Sequence, residues 1–90
     1  MAQTAAFEMS GEIDGETTAE VEAEIRKWLA AGGQPIIDMT GVTFIGSTGL
    51  NMLVRVRRDH GQPLTLQGVK PTTARLLHLT ALDRLFTITP

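Results

Sequence analysis

The stretch Ile36-Ile-Asp-Met-Thr-Gly-Val-Thr-Phe-Ile-Gly-Ser-Thr-Gly-Leu50 decides how this chain is read. A short apolar strand over residues 35–39 gives way to a loop from Thr40 to Gly46. The loop passes directly into a helix that runs from about Ser47 to His60. On a helical wheel Leu50, Leu53 and Val56 share one broad apolar face, while Asn51, Arg55, Arg58 and Asp59 lie opposite. Met52 falls at the boundary and is expected half in water. Gly61 closes the helix.

Upstream, residues 5–10 place Phe7 and Met9 on one face and Glu8 and Ser10 on the other, which is the alternation of a half-buried strand. Gly11-Glu-Ile-Asp-Gly15 reads as a turn. A helix follows from near Thr17, with Thr17 as its cap and Glu20 completing a capping box. Val21, Ile25, Trp28 and Leu29 form its buried stripe, and Gly32 and Gly33 end it. Downstream, Leu64 and Leu66 alternate with Thr65 and Gln67 in a third strand. Pro71 opens a third helix, whose apolar side is expected from Leu76, Leu77 and Leu79. Phe86 and Ile88 alternate with Thr87 and Thr89 in a last strand.

This order predicts an α/β fold: a single domain over residues 1–90 with a mixed or mostly parallel sheet of about four strands. Three strands show one apolar and one polar face, so the three or four helices are expected mainly on one side of the sheet. Parallel sheets are usually covered on both faces, so the repeated alternation is the deciding observation.

Composition narrows the function classes. The chain has 90 residues, a formal net charge of −2 and no cysteine. It therefore carries no disulfide framework or thiolate metal site, and His60 and His78 alone do not make a zinc site. They read as structural or solvent-facing residues near helix ends. No cofactor is expected. A mildly acidic chain lacks the clustered positive charge that phosphate neutralisation requires, which argues against nucleic acid as partner. Arg55, Arg57 and Arg58, with Asp59 beside them, read as a solvated helix face. No run approaches the ~18 apolar residues of a membrane span, and residues 1–6 lack the basic and apolar regions of a secretory signal. A cytoplasmic location without membrane insertion is expected.

The chemistry concentrates at Gly46-Ser-Thr-Gly49. Ser47 and Thr48 stand between two glycines where strand gives way to helix, and free N–H groups at that end accommodate a phosphate. Read plainly, Ser47 is a helix cap. Catalytic readings fail on spacing. The run is not the G-x-S-x-G nucleophile elbow, a P-loop or a dinucleotide fingerprint. Asp14 and Asp38 each follow an apolar residue and are expected near this loop, where turn or capping roles suit them better than acid–base work. Trp28 reads as core.

Three blocks give the sequence a resemblance to the STAS family, the domain shared by anti-sigma-factor antagonists and sulfate transporters. Ser10-Gly-Glu-Ile-Asp14 resembles the family's G-E-[IL]-D turn. The stretch 36–50 resembles its central signature, a strand followed by D-S-[ST]-G-L opening a helix. Thr73-Ala-Arg-Leu-Leu-His-Leu-Thr-Ala-Leu82 resembles its late helix. The blocks stand in family order and spacing. Two departures are visible: Gly46 stands where the family usually has aspartate, and the short further strand often found ahead of the first has room here for at most a fragment.

The resemblance implies a protein-binding regulator, not an enzyme. It points to an anti-sigma-factor antagonist that binds a serine-kinase anti-sigma factor, is phosphorylated by it at the start of the second helix, and is reset by a phosphatase. The phosphoacceptor carried over is Ser47, with Thr48 as the alternative. The partner-binding set is Asp14, Gly46, Ser47, Thr48, Gly49, Asn51, Met52 and Arg55. The alternative is a constitutive STAS subunit of a bacterial ABC lipid-transport or other transporter complex, docked on a transporter ATPase.

Overall fold

The computed structural model describes residues 6–90. Strands β1 (Phe7–Ile13), β2 (Ile36–Ile45), β3 (Leu64–Gln67) and β4 (Phe86–Ile88) alternate with helices α1 (Glu16–Ala30), α2 (Ser47–His60) and α3 (Pro71–Leu79). A 3₁₀ turn, Leu82–Leu85, leads into β4. All four strands are parallel and lie in the order β1-β2-β3-β4. Parallel neighbours need crossovers, each crossover here contains one helix, and crossovers are right-handed. A sheet that advances one strand at a time in one direction therefore collects every helix on one face, as the alternation predicted.

Burial follows that layering. Met9, Ile13, Ile37, Met39, Leu64, Leu66 and Phe86 face the helices and are buried, as are Ile25 of α1 and Leu77 of α3. On the strands between them Glu8, Ser10, Glu12, Thr40, Gln67 and Thr87 stay exposed. The middle helix α2 contributes Gly49, Leu50, Met52, Leu53 and Val56 to the interior.

Two strands are longer than the sequence suggested. Residues 11–13 extend β1 where a turn was expected, and β2 runs on through Ile45 where a loop was expected. The register explains the second case. Pairing with β1 slips between Glu8 and Ser10 and again between Gly11 and Glu12, and each slip places an extra residue on β2. Such bulges break the two-residue alternation, so Met39, Val42 and Ile45 are buried at three-residue spacing. Any strand fragment ahead of residue 6 lies outside the described residues, as does Ala5 of the expected first strand.

Local expectations at the helix starts also change. The cap of α1 is Gly15, at φ 53°, and carries no side-chain bond. Thr17 sits inside the first turn. Its hydroxyl donates to the Glu12 carbonyl at 2.7 Å, lies 2.8 Å from the Asp14 carbonyl, and accepts the Asp14 N–H at 3.1 Å. On α3 only Leu77 of the three leucines enters the core; Leu76 and Leu79 are exposed. Trp28 is half-buried, edge-on to Phe7, with its indole N–H donated to the Gln34 carbonyl.

Candidate functional site

The C-terminal ends of β1 and β2 lie side by side, Ile13 opposite Ile45. The chain leaves each strand within one residue of that pair, so Asp14 and Gly46 become neighbours. The Gly46 N–H donates to the Ile13 carbonyl at 3.2 Å and extends the ladder, while the Gly46 carbonyl accepts the Leu50 N–H at 3.0 Å and closes the first turn of α2. Gly46 is thus the helix cap, in extended conformation and with no side-chain bond. This corrects the plain reading of Ser47. It stands at the first helical position, and its exposed hydroxyl does not cap the helix.

Gly49 explains how closely α2 approaches the sheet. A Cβ on residue 49 would fall 2.6 Å from the Ile13 carbonyl oxygen and 2.8 Å from Ile45 Cγ1. Asp14 lies on the outside of the same junction. Its carboxylate packs over Gly46, with Oδ2 3.1 Å from where a Cβ of residue 46 would stand. The first turn of α2 has no acidic residue of its own. Asp14 therefore brings a negative charge from β1 to the positive end of the α2 dipole, a favourable placement. The Thr17 hydroxyl, bonded to the Asp14 backbone, fixes the turn that aims it.

A family model described as the STAS domain matches residues 2–90. The chain belongs to the STAS domain family. Two curated relatives, each an anti-sigma-F factor antagonist RsfB from a strain of Mycobacterium tuberculosis, are 34% identical over 85 residues, covering 91% of this chain and 70% of theirs. A crystal structure of an anti-sigma factor antagonist from Mycobacterium paratuberculosis is 33% identical, with a TM-score of 0.75 over 92% of this chain and 74% of that one. The anti-sigma factor antagonist SpoIIAA in its unphosphorylated form shares the fold at 18% identity, with a TM-score of 0.60 over 86% of this chain and 84% of that one.

Within this STAS domain the sequence-derived site residues separate into three groups. Asp14, Gly46, Ser47, Thr48 and Gly49 meet at the β1–β2–α2 junction. Asn51 is exposed on the outer side of α2. Arg55 is exposed as well, but its guanidinium is engaged, donating to Glu22 of α1 at 2.8 Å. Glu22 also takes Arg26 at 2.8 Å, and Arg26 reaches Asp59 at 3.0 Å, so one ion-pair network ties α1 to α2. The bonds from Arg55 and then Arg26 hold the Glu22 carboxyl below its ordinary range.

Met52 is corrected outright: it is 0% exposed and belongs to the core. Asp38 is also not at the site. It pairs opposite Glu8, most of a strand away from Asp14. Its carboxylate accepts the Thr40 hydroxyl at 2.6 Å and the Thr40 N–H at 2.9 Å, and those bonds lower its pKa. His60 ends α2, and exposed His78 pairs with Asp83 at 3.0 Å. Among the described residues no three His, Asp or Glu side chains gather to hold a metal, and no helix is long and apolar enough to cross a membrane.

Sequence reasoning missed Phe44, Leu76 and Leu79, three large apolar side chains left on the surface. Phe44 lay in the stretch read as a loop, where no inward or outward face was assigned; as part of β2 it turns outward, next to buried Ile45. Leu76 carried no signal either, because Leu76 and Leu77 are equivalent by composition and only their angle on α3 separates them.

Proposed function

We propose that this STAS domain is an anti-sigma-factor antagonist. It binds a serine-kinase anti-sigma factor through residues 46–49, Asp14 and the outer face of α2 around Asn51, and phosphorylation of Ser47 switches it off. A phosphatase resets it. Arg55 joins the contact only by exchanging Glu22 for a partner carboxylate, and Met52 supports the surface from below. The observation that carries the reading is Ser47 itself: an exposed hydroxyl at the first helical position, free of the capping role that would explain it structurally. The similarity to RsfB over most of both chains supports the partner class.

Phosphorylation adds about −1.5 to −2 charge. At the start of α2 the helix dipole and free N–H groups accommodate it, so the fold survives. The surface does not stay the same. The new dianion stands beside the Asp14 carboxylate, and like charges at this distance repel. Both groups then oppose a partner fitted to a bare hydroxyl, because desolvating unmatched charge costs several kcal/mol, in order of magnitude.

The test incubates the chain with the serine-kinase anti-sigma factor of its own genome and ATP, and locates phosphate by mass spectrometry. Phosphate is expected on Ser47, with Thr48 the alternative acceptor. Ser47→Asp should fold and bind poorly; Ser47→Ala should bind and escape switching. Absence of phosphate from both residues, with tight binding kept by Ser47→Asp, overturns the switch and leaves docking on a transporter ATPase as the reading to pursue.

A further inference from the structure

The large apolar side chains that the described residues leave exposed gather beside the candidate site. Phe44 is 53% exposed, Leu76 37% and Leu79 69%. Phe44 and Leu76 line one groove with Lys70, Thr72 and Thr73, between the end of β2 and the first turns of α3. Leu79 stands three residues beyond Leu76 and so shares its helix face. Ile45, another wall of the groove, is followed directly by Gly46 and Ser47, so the strip runs into the loop. The groove holds ≈ 180 Å³, which suits one or two inserted side chains and falls short of the ~300 Å³ at which small-molecule sites begin. Single exposed apolar residues need no explanation, whereas a contiguous set marks an interaction surface.

On its α3 side the rim of the strip is basic, whereas exposed Glu12 lies opposite Phe44 on β1. Helix α3 carries Arg75 and His78 and no acidic residue, and Lys70 precedes it. Lys70 donates its ammonium to the Thr40 carbonyl at 2.7 Å, which holds the charge at the groove wall. Arg75 lies four residues before Leu79, on the same side of the helix. The complementary surface is an apolar projection set among carboxylates. A second copy is a poorer fit, because its own α3 brings no carboxylate to meet Lys70 and Arg75. An anionic bilayer gains only about 1 kcal/mol from each of two cations, on a chain whose net charge is −2.

We propose that Phe44, Leu76 and Leu79 form a second docking point for the anti-sigma factor, taking an apolar projection of that protein that is rimmed with acidic residues. The inference rests on the antagonist reading and adds to it a contact that does not depend on the state of Ser47.

The test measures binding of the same anti-sigma factor to the unmodified chain, to the double variant Phe44→Thr/Leu79→Gln and to Arg75→Glu, with melting followed in parallel. The double variant should bind at least about tenfold more weakly, the loss that truncating a central contact brings, while melting as the parent does. Arg75→Glu should weaken binding most at low salt. Parent-like binding by both variants overturns the docking point and leaves the antagonist reading intact. An unmodified chain that binds no anti-sigma factor overturns both. Loss of vesicle binding (phosphatidylglycerol–phosphatidylcholine) or of self-association in the double variant, with anti-sigma binding kept, assigns the strip to a membrane or a second copy and overturns the proposal.

Discussion

The carboxylate of Asp14 fills the space that a side chain on residue 46 would require: a Cβ built on Gly46 falls 2.7 Å from Asp14 Oδ1 and 2.8 Å from Asp14 Cγ. The two residues come from different strands, so the acidic group of this loop is supplied across the sheet. Aspartate at position 46, usual in the family this chain belongs to, would compete with Asp14 for the same volume and double the charge there.

Gly46→Ala and Gly49→Ala should consequently behave differently, although both add one methyl group. At residue 46 the obstacle is the exposed end of a side chain, which can swing away. The melting temperature should change little, while partner binding falls as far as it does in Asp14→Ala. The double variant should then add nothing, since both changes remove the same carboxylate from the same place. At residue 49 the obstacle is the Ile13 carbonyl, which is held in the β1–β2 ladder and cannot swing. Overpacking of this kind costs about 1–3 kcal/mol, and urea denaturation should show the loss.

Met52→Asp separates a core residue from an interface residue. Met52 has no exposed surface, and an isolated carboxylate buried there has no partner of opposite charge. Losses above about 4–5 kcal/mol are typical of an unpaired buried charge, against a total stability of about 5–15 kcal/mol. Circular dichroism should show an unfolded or barely cooperative chain. Met52→Leu, which nearly conserves volume, should cost less than about 1.5 kcal/mol.

The misplacement of Met52 shows where the sequence stopped being legible. The bounds of α2 were readable because Gly46 and Gly61 punctuate an amphipathic run, and Pro71 marked α3 in the same way. The width of the buried arc was not. Leu50, Leu53 and Val56 describe a helix lying on a sheet, but α2 is also flanked by α1, where Arg55 meets Glu22, and by the 3₁₀ turn, where Arg57 donates to the Leu85 carbonyl. Lateral neighbours bury one more row of side chains, and nothing local to α2 announces them. The site divides in the same way. Gly46, Ser47, Thr48 and Gly49 are contiguous and were found together, and Asp14 came from a motif. The contact of Asp14 with Gly46 depends on the register of Ile13 against Ile45, which two bulges in β2 had hidden.

Glu22 gives the fold a dependence on pH. Its folded-state pKa is depressed, first by Arg55 and then by Arg26. The unfolded chain therefore takes up the proton more readily. The stabilisation is complete above the ordinary glutamate pKa of about 4.3 and is lost as the pH falls through the depressed value. The arginine side chains are 39% and 44% exposed, so solvent screening limits the gain to about 1 kcal/mol. Glu22→Gln should lower the urea midpoint at pH 7, less so in high salt, and the gap to the parent should narrow steadily below pH ~4.

Thr18→Val should stabilise the domain. Thr18 lies in the second half of the first turn of α1 and is 3% exposed, and its hydroxyl oxygen has no hydrogen-bond partner in the structure. Burial of an unpaired hydroxyl costs about 1–3 kcal/mol. Valine keeps the shape and the β-branch, so no cavity opens, and its helix propensity is close to that of threonine. The gain should be about 1 kcal/mol, which in a domain of this size raises the melting temperature by about 4–8 °C. Partner binding should not move, because the substituted atom is sealed from the surface. A lower melting temperature would mean that the hydroxyl is hydrogen-bonded in solution, to an internal water, and that α1 is held over the sheet by a polar contact there as well as by Ile25.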